Sequence, residues 1–312
     1  MPAAPPAPVP GLQALLREAL PQGPPPRVAI ARSANGFVLE AAVGAWQAGL
    51  AEPILIGDMA ATRRVAAERG LDIGPFEGIE TPDDEAAVRQ AVALFRQGRA
   101  ALIMKGLVPT ATLLRAVLDR EHGAAPKGIL SHVTLFEEPG SGRLMLLTDP
   151  AVNIRPNLQR KVEIVRNAVA VARRLGMARP RVAMLAATEK VNFPAMPATL
   201  DADLLAKMGA QGEFGDARVA GPMALDVALS AQAAAFKGVD NDVAGHADIL
   251  VAPDIESGNV LYKSLSTLLG LDMAGVVVGS RVPVVVPSRG DSPRTKLLSL
   301  ALAAFLARED RA

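Results

Sequence analysis

Residues 28–58, VAIARSANGFVLEAAVGAWQAGLAEPILIGD, decide the fold class. Two short apolar runs, at 28–31 and 53–58, flank a segment at 36–48 whose composition suits a helix. A strand, a helix and a second strand in this order form a crossover unit, and crossover units pair parallel strands. This stretch therefore predicts an α/β protein built on a parallel sheet.

The same alternation continues on both sides of this stretch. Further helices are predicted at 12–20, 63–69, 86–97, 158–172 and from 293 to about 307, and further strands at 101–104, 182–186, 249–252, 275–278 and 282–286. Residues 133–136 and 144–147 flank a Pro-Gly turn and predict an antiparallel hairpin. Such a hairpin within an alternating pattern marks a sheet edge or a junction between domains.

The composition excludes several classes of protein. A chain of 312 residues is long enough for about two domains. It has no cysteine, which excludes disulfide scaffolds, thiolate metal sites and cysteine nucleophiles. Its 33 basic and 32 acidic residues give a formal charge of +1, so no global field attracts nucleic acid.

The prolines within residues 1–26 predict a frayed segment around one short helix. The sequence begins without a secretory signal, and no uncharged apolar run reaches the roughly 18–20 residues that span a bilayer. We therefore expect a soluble, cytoplasmic protein with no membrane or nucleic-acid partner.

Ligands of open parallel sheets bind beyond the carboxyl ends of the strands, so polar residues that follow apolar runs are the candidate site residues. Lys105 and Gly106 follow one such run, where a lysine beside a glycine can meet a phosphate; a solvated lysine at a turn is the alternative. Thr188 and Glu189 follow another, although a salt-bridged turn explains that motif equally well.

Two more candidate segments lie after the hairpin and after the strand at 249–252. Asp149 and Asn153 stand on proline-bracketed, irregular backbone, and Asn157 is the expected N-cap of the next helix. Asp254 follows a proline that closes the later strand.

Beyond Asp254, Gly258-Asn259 is expected to turn the chain into a helix with Tyr262 and Lys263 in its first turn. Capping explains Asn259, but it does not explain Asp254, Tyr262 and Lys263 together.

The sharpest candidate is the loop Ser288-Arg289-Gly290-Asp291, which leads from a buried strand to a helix start at Ser292-Pro293. Free backbone N–H groups, the positive end of the helix dipole and a forked guanidinium converge there. The loop therefore predicts an anion site; an arginine paired with Asp291 at the surface is the alternative.

The remaining motifs argue against resident cofactors. His122, His132 and His246 are far apart and show no metal-ligand spacing, so ordinary structural or surface histidines are expected. Neither a dinucleotide glycine fingerprint nor a nucleoside-triphosphate loop is present in the sequence. We expect no metal site and no permanently bound cofactor.

Taken in order, these segments resemble the phosphate acetyltransferase/phosphate butyryltransferase family. The matching stretches are Met104-Lys105-Gly106, Thr148-Asp149-Pro150 with Asn153, Ala187-Thr188-Glu189-Lys190-Val191, residues 219–226, residues 247–254 with Gly258-Asn259 and Tyr262-Lys263, and Ser288-Arg289. The resemblance covers about residues 26–306. The Gly-Pro-x-x-x-Asp stretch at 221–226 and the stretch at 256–263 are more similar to the butyryl-type branch.

The resemblance implies an architecture and a reaction. The architecture is two α/β domains with mainly parallel sheets and an interdomain cleft, as in isocitrate and isopropylmalate dehydrogenases. The first domain would comprise residues 1–147 and 288–312, and the second, inserted domain residues 148–287. The reaction would be acyl-CoA + phosphate ⇌ acyl phosphate + CoA, with the acyl group acetyl or butyryl, by direct transfer in a ternary complex. Coenzyme A would be a substrate, and the protein a homodimer or a higher homo-oligomer.

Within that resemblance, Arg289 would clamp phosphate, Ser288 and nearby backbone N–H groups would stabilise the oxyanion, and Lys105 would be a second cation. The acetyl-type branch has an aspartate seven residues after the matching serine, where this sequence has Thr295. Asp291 and Asp254 are the candidates for the missing base. The remaining candidates would bind phosphate or CoA: Gly106, Asp149, Asn153, Thr188, Glu189, Asn259, Tyr262, Lys263 and Gly290.

Three other functions remain open at this point. A dehydrogenase of the isocitrate or hydroxythreonine-phosphate type shares the architecture but needs a nucleotide site. Acyl transfer to an acyl carrier protein would use the same phosphate chemistry. A catalytically silent CoA-binding protein would account for the absent aspartate.

Overall fold

In a computed structural model of the chain, residues 8–124, 126–288 and 290–309 are described. Contacts between residues divide them into two compact units. The first unit contains residues 12–130 and 272–309, and the second contains residues 8–11 and 131–271. The second unit is thus inserted into the first along the sequence.

The first segment of the first unit alternates strands and helices as the sequence predicts. Its elements are α1 (Leu12–Glu18), β1 (Arg27–Ala31), α2 (Gly36–Gln47), β2 (Glu52–Gly57), α3 (Met59–Glu68), β3 (Glu77–Glu80), α4 (Asp84–Arg96), β4 (Leu102–Lys105) and α5 (Thr110–Leu118). β5 (Pro126–Glu137) begins in this unit and continues into the second.

The second unit follows the same principle after an antiparallel start. Its elements are β6 (Leu144–Thr148), α6 (Leu158–Arg174), β7 (Arg181–Leu185), α7 (Pro197–Ala210), β8 (Arg218–Met223), α8 (Leu225–Leu229), α9 (Ala231–Phe236), β9 (Ile249–Val251) and α10 (Ile255–Lys263), which continues into a π-helical turn at Ser264–Leu268. The chain returns to the first unit with β10 (Met273–Ser280), β11 (Val284–Val285) and α11 (Pro293–Glu309).

The first unit contains a strand order that creates a crevice. Its strands run in the order β3-β2-β1-β4-β11-β10, parallel except for the antiparallel pair β10–β11. β2 and β3 lie on one side of β1, whereas β4 lies on the other. The connections after β1 and β4 therefore leave in opposite directions, and this switch point opens a crevice at the carboxyl ends of the two strands.

The second unit has a switch point of its own. Its strands run β5-β6-β9-β7-β8, with the predicted hairpin β5–β6 antiparallel and the rest parallel. β8 lies on one side of β7 and β9 on the other. The predicted antiparallel hairpin and the mainly parallel sheet are both confirmed.

The cores consist of small aliphatic side chains, as the composition suggests. The strands β1, β2 and β4 are buried along nearly their whole length, which explains their continuous apolar runs. α11 packs against α1, α2 and β10, and its residues 298–304 are almost all buried. Among the described residues, no helix is both long enough and apolar enough to cross a membrane.

The boundaries between the compact units differ from the predicted domain boundaries. The predicted boundaries were 147/148 and 287/288, whereas the contacts divide the chain at 130/131 and 271/272. The reason is local: the hairpin strand β6 pairs with β9 of the inserted segment, and β10 packs against α11. The assignment of residues 1–147 and 288–312 to one domain and 148–287 to the other stays a prediction.

Candidate functional site

The crevice of the first unit contains a cavity of about 330 Å³. Three stretches of chain line it, and each follows a strand at its carboxyl end. They are residues 35, 37 and 38 after β1, residues 105–109 at the end of β4, and residues 287–288 after β11, joined by Lys296 from α11. This is the position at which parallel sheets bind ligands.

Lys105 lies at the end of β4 and contributes its ammonium to the cavity wall. Its Nζ donates to the carbonyl oxygens of Gly106 and Val108, each at 3.3 Å. These bonds direct the side chain along its own loop, and the charge stays half-buried at the mouth of the crevice. The predicted contact of Lys105 with a phosphate stays a prediction.

Gly106 also lines the cavity, but packing gives it a further role. A Cβ atom there would overlap the carbonyl oxygen of Arg32 and lie 2.6 Å from that of Ala31. The Gly106 N–H donates to Ala31 at 2.8 Å, so β1 and β4 touch at this point without a side chain between them. Arg32 itself has a φ of +62°, an uncommon conformation for a residue with a side chain.

The loop after β11 is closed on itself by hydrogen bonds. The Ser288 N–H donates to Oδ2 of Asp291 at 2.7 Å, and the Asp291 N–H donates back to the Ser288 carbonyl at 3.2 Å. Asp291 therefore fixes the loop through the Ser288 N–H, and stabilisation of an oxyanion by Ser288 and nearby backbone N–H groups stays a prediction. Gly290 is exposed with open space around its Cα. Arg289 lies outside the described residues.

The first turn of α11 begins as predicted, since the Ser292 Oγ accepts the Thr295 N–H at 3.0 Å. Thr295 is buried, and its hydroxyl accepts the Met273 N–H at 3.2 Å. The position at which the acetyl-type branch has an aspartate is thus used to attach the start of β10 to α11.

Lys296, which sequence reasoning missed, is the neighbouring residue and lines the cavity. Its side chain is only 2% exposed, its Nζ donates to the Asp291 carbonyl, and it lies 5.3 Å from the centre of the Phe37 ring. Burial lowers the pKa of Lys296, although the carboxylates of Asp291 and Glu40 partly oppose this shift. A signal existed in the sequence: a lysine near the N-terminus of an otherwise apolar helix opposes the helix dipole.

Asn35 and Phe37 are two further cavity residues that sequence reasoning missed. Asn35 is the N-cap of α2, and its side chain accepts the Val38 N–H at 3.2 Å. The sequence did carry this signal, because asparagine before an apolar helical segment is a strong N-cap candidate. A second helix N-terminus therefore faces the cavity.

In the second unit, Asp149 is almost fully used by its own loop. Oδ1 accepts the N–H groups of Ala151 and Val152 at 3.0 Å each, and Oδ2 accepts the N–H of Asn153 at 3.1 Å and its Nδ2 at 2.6 Å. The Asn153 Oδ1 accepts from Arg160 at 3.1 Å. The carboxylate, 3% exposed, holds the turn together; its contact with substrate stays a prediction.

Asp254, proposed as a candidate base, is the N-cap of α10. Its Oδ1 accepts the Ser257 N–H at 2.9 Å and the Ser257 hydroxyl at 2.7 Å. Burial would raise the pKa of Asp254, but the Ser257 hydrogen bonds and the charges of Lys161 and Arg155 lower it below its usual value of 3.8. A carboxylate with a lowered pKa is a weaker base.

The predicted role of Asn259 as a helix start was wrong. α10 begins at Ile255, because Asp254 caps it, and Asn259 lies within the helix. Its Nδ2 donates to the Pro150 carbonyl at 3.2 Å, which ties α10 to the Asp149 loop. Tyr262 is buried later in the same helix, with the Lys263 Nζ 4.8 Å from the centre of its ring.

Glu189 lies in an ion-pair cluster in the second unit. The Nζ of Lys237 is 3.3 Å from Glu189 and 3.0 Å from Asp226. The pKa of Lys237 is raised, first by its hydrogen bond with Asp226. Glu189 thus pairs with a lysine from elsewhere in the chain, and the role of Thr188 and Glu189 in binding a substrate stays a prediction. Thr188 beside it is half-buried.

A second cavity, of about 430 Å³, lies at the switch point of the second unit. Residues 185–187 at the end of β7, residues 196–199 at the start of α7, and Ala252, Pro253 and Ser257 after β9 line it, together with Leu225 and Leu261. Its wall is mainly apolar. In the part of the chain that the structure describes, no three His, Asp or Glu side chains are grouped as metal ligands would be.

Comparison with known proteins gives one family. A model of the family described as "Phosphate acetyl/butaryl transferase" matches residues 84–304. The phosphate butyryltransferase of Clostridium acetobutylicum is 45% identical over 281 residues, covering 90% of this chain and 93% of that protein. The phosphate acetyltransferase of Rhizobium meliloti is 42% identical over 283 residues, covering 91% of this chain and 89% of the relative.

Solved structures agree with these sequence relatives. A branched-chain phosphotransacylase from Enterococcus faecalis V583 superposes with a TM-score of 0.79 at 35% identity, covering 90% of this chain and 99% of that one. A 4-hydroxythreonine-4-phosphate dehydrogenase from Klebsiella pneumoniae has a TM-score of 0.54 at 15% identity, with coverages of 91% and 100%. The second likeness concerns the fold alone, and it matches the dehydrogenase-like architecture expected from the sequence.

Proposed function

The chain belongs to the phosphate acetyl/butyryl transferase family, and from this membership we propose that the cavity of the first unit binds the phosphate that its reaction uses. The chain is an acyltransferase that converts acyl-CoA and phosphate into acyl phosphate and CoA. The observation that carries the site is the convergence of Lys105, Ser288 and two helix N-termini on one cavity at a switch point.

The reaction requires positive charge in this cavity, to hold phosphate, more than it requires a nucleophilic side chain. Phosphate is a dianion, and helix N-termini with lysine side chains are suited to hold one. Attack of a phosphate oxygen on the thioester carbon places negative charge on the carbonyl oxygen, which must be stabilised as it forms. Lys105 and the Ser288 hydroxyl lie in the wall where this charge would develop, and Arg289 follows Ser288 directly in the sequence.

The acyl group passes directly from the CoA sulfur to a phosphate oxygen. A phosphate oxygen forms a bond to the acyl carbon, the C–S bond breaks, and the proton lost by phosphate ends on the CoA sulfur. Both substrates are held together in a ternary complex, which removes most of the entropic cost of their meeting. Asp291 is the candidate for carrying the proton in the first unit, because it is fixed against Ser288. Asp254 is less suited, because its pKa is lowered and it caps α10.

The polar residues of the second unit would bind CoA or hold the loops that bind it. Thr188, Tyr262 and Lys263 are proposed to contact CoA directly. Asp149 and Asn153 would act by holding their turn, and Asn259 by attaching α10 to it. The protein would work in the cytoplasm as a homodimer or higher homo-oligomer, with CoA as a substrate and no permanently bound cofactor.

The first experiment measures the reaction across acyl groups. Acyl phosphates from acetyl to hexanoyl are supplied with CoA, and formation of the thioester is followed by its absorbance. We expect turnover with at least the acetyl or the butyryl compound. Reduction of NAD in the absence of CoA would instead support the dehydrogenase, and CoA binding without turnover on any acyl phosphate would support a silent protein. Turnover only with an acylated carrier protein would support the carrier reaction.

The second experiment tests the phosphate site. Lys105→Met and Arg289→Ala are each expected to raise the phosphate KM roughly 10- to 100-fold, because a charge-assisted hydrogen bond contributes about 1.5–3 kcal/mol. Lys207→Met is the matched control, since Lys207 is exposed on α7 and pairs only with Asp203 among the described residues. An unchanged phosphate KM in both site variants would remove this cavity from the reaction.

A further inference from the structure

Lys296 is the buried charge in the wall of the cavity of the first unit. It lies on the first turn of α11, four residues after the N-cap Ser292, and its side chain is 2% exposed. It lines the same cavity as Lys105 and Ser288. No motif in the sequence singled it out, and the proposed phosphate site does not yet include it.

The carboxylates of Asp291 and Glu40 compensate the buried charge of Lys296 only in part, because the net effect of its surroundings still lowers its pKa. An ammonium has three N–H donors. Within the described residues, the hydrogen bond that Nζ makes is to the Asp291 carbonyl oxygen, which carries no formal charge. The Phe37 ring, with its centre 5.3 Å away, offers a weaker attraction. Since burying a cation is unfavourable unless it is paired, a ligand with negative charge is the natural complement.

The helix around Lys296 increases this need. The N-terminus of a helix carries partial positive charge, so a lysine in the first turn is placed against the dipole. Ordinary sequences put acidic residues there. An anion in the cavity would be attracted by both the helix dipole and the ammonium. It would thereby offset the repulsion between these two positive charges.

The register of α11 explains why Lys296 and not its neighbour faces the cavity. Successive residues of a helix point about 100° apart. Thr295 is directed at β10, where its hydroxyl accepts the Met273 N–H, and this fixes the rotation of the helix. The next residue is then presented to the cavity. In this chain a cation therefore occupies the region where the acetyl-type sequence pattern supplies a carboxylate.

We propose that the ammonium of Lys296 binds the phosphate group directly, as a cation of the site alongside Lys105. This inference rests on the proposed phosphate site and extends it. Lys296 holds phosphate as the attacking group in one direction and as the leaving group in the reverse direction. The proton is then moved by another group, because a buried ammonium that compensates phosphate stays charged during the reaction.

The test compares Lys296→Met with Lys296→Arg, Lys105→Met and the control Lys207→Met. Methionine has a similar length, so it fills the buried space without the charge. We expect Lys296→Met to raise the KM for phosphate roughly 10- to 100-fold while the KM for acyl-CoA changes much less, and Lys296→Arg to recover part of the affinity. Phosphate should also raise the Tm of the wild type and of Lys207→Met, but much less that of Lys296→Met.

Two results would overturn the inference in different ways. If Lys105→Met raises the phosphate KM and Lys296→Met lowers only the ligand-free Tm, Lys296 is structural and the proposed site stands. If neither variant changes the phosphate KM, both proposals fail.

A crystal structure of the wild type with inorganic phosphate keeps the test decisive if Lys296→Met does not fold. A phosphate oxygen within about 3 Å of Nζ is expected. Phosphate bound elsewhere, or bound in the cavity away from Lys296, contradicts the inference.

Discussion

Gly106 stands where the end of β4 meets the backbone that leaves β1, and this contact has no room for a Cβ atom. The crevice of the first unit is therefore shaped by a missing side chain as well as by charged ones. Close packing of the two backbones brings the Lys105 loop toward the residues that follow Arg32. At the scale of single residues, the cavity depends on a few such fixed points.

Gly106→Ala should lower the stability of the protein. The new methyl group meets the carbonyl oxygens of Arg32 and Ala31, so β1 or β4 must shift. We expect the free energy of unfolding to fall by about 1–3 kcal/mol, as in other overpacked sites. Denaturant titration measures it, with Gly44→Ala as the control, because Gly44 lies in α2 with nothing near its Cα. Gly44→Ala should be neutral or stabilising, because alanine favours a helix; a Gly106→Ala variant as stable as the wild type would show that the contact is loose.

Asp149→Asn measures how much the Asp149 carboxylate contributes to the stability of its turn. An amide offers one acceptor oxygen in place of two, so donors from Ala151, Val152 or Asn153 would face an NH₂ group. Hydrogen bonds to charged groups contribute about 1.5–3 kcal/mol each, and we expect at least about 2 kcal/mol to be lost.

The exposed Asp216→Asn is the control for this change and should remain within about 0.5 kcal/mol of wild type. Thermal unfolding by calorimetry distinguishes the two variants. Equal Tm values for Asp149→Asn and wild type would assign Asp149 a purely functional role.

Residues of the site differ in how visible they are in the sequence. Lys105 and Ser288 follow apolar runs directly, so their place at strand ends could be predicted from the sequence alone. Lys296 could not be found that way, because whether a helical residue faces a cavity depends on the rotation of the helix. That rotation is set by Thr295 and Met273, which are distant in sequence.

The N-cap residues determine where the helices of this protein begin. Asn157 and Ser292 were predicted as N-caps, and both accept the expected N–H bond. Asn259 was placed at a helix start wrongly, because Asp254 begins α10 five residues earlier and accepts two bonds from Ser257. Both residues are good N-caps by type, so the choice between them depended on where β9 ends.

Asp254→Ala should weaken α10, whereas Asp254→Asn should keep the cap. Alanine removes the acceptor of the Ser257 N–H, and we expect a loss of about 1 kcal/mol. Asparagine retains an acceptor oxygen but loses the attraction to Lys161 and Arg155.

The two variants are separated by pH. The folded-state pKa of Asp254 is lowered, so its ionisation stabilises the protein above the usual value of 3.8 and this contribution is lost as the pH falls through the lowered value. The stability gap between wild type and Asp254→Asn should therefore be present at neutral pH and vanish in acid. A gap that is constant over that range would contradict the pKa shift.

The strands β3 and β8 were not predicted from the sequence. β3 has the sequence EGIE and alternates half-buried with exposed residues, so it lacks the apolar run that marks the other strands. β8 contains Gly221-Pro222, which argues against a strand by composition. Both are edge strands of their units in the order given by the pairing, where such residues are tolerated.

At the scale of the whole molecule, the alternation of strands and helices was sufficient to predict the fold class. Strand order was not predictable in the same way, because it depends on which strands pair across long separations. β4 beside β1 and β11 beside β4 are such pairings, and together they place the cavity. The family resemblance supplied the architecture that local patterns could not.

Phosphate should protect the first unit selectively. A ligand that binds only the folded state stabilises the segments that it contacts. We expect saturating phosphate to slow amide hydrogen exchange in residues 105–109 and 290–296, measured by mass spectrometry, while the Asp149 turn changes much less. Chloride at the same ionic strength is the control. Equal protection of both regions would show that phosphate does not bind preferentially in the first unit.

The pairing of β4 with β11 also has a consequence during translation. Val284 and Val285 pair with Ile103 and Met104, although about 180 residues separate them. At the ribosome's pace of 5–20 residues per second, β4 waits roughly 10–40 s for its neighbour. During that interval one apolar edge of β4 is open, and the cavity lacks Ser288 and Lys296. The nascent chain can therefore close that edge of its sheet only after β11 has been synthesised.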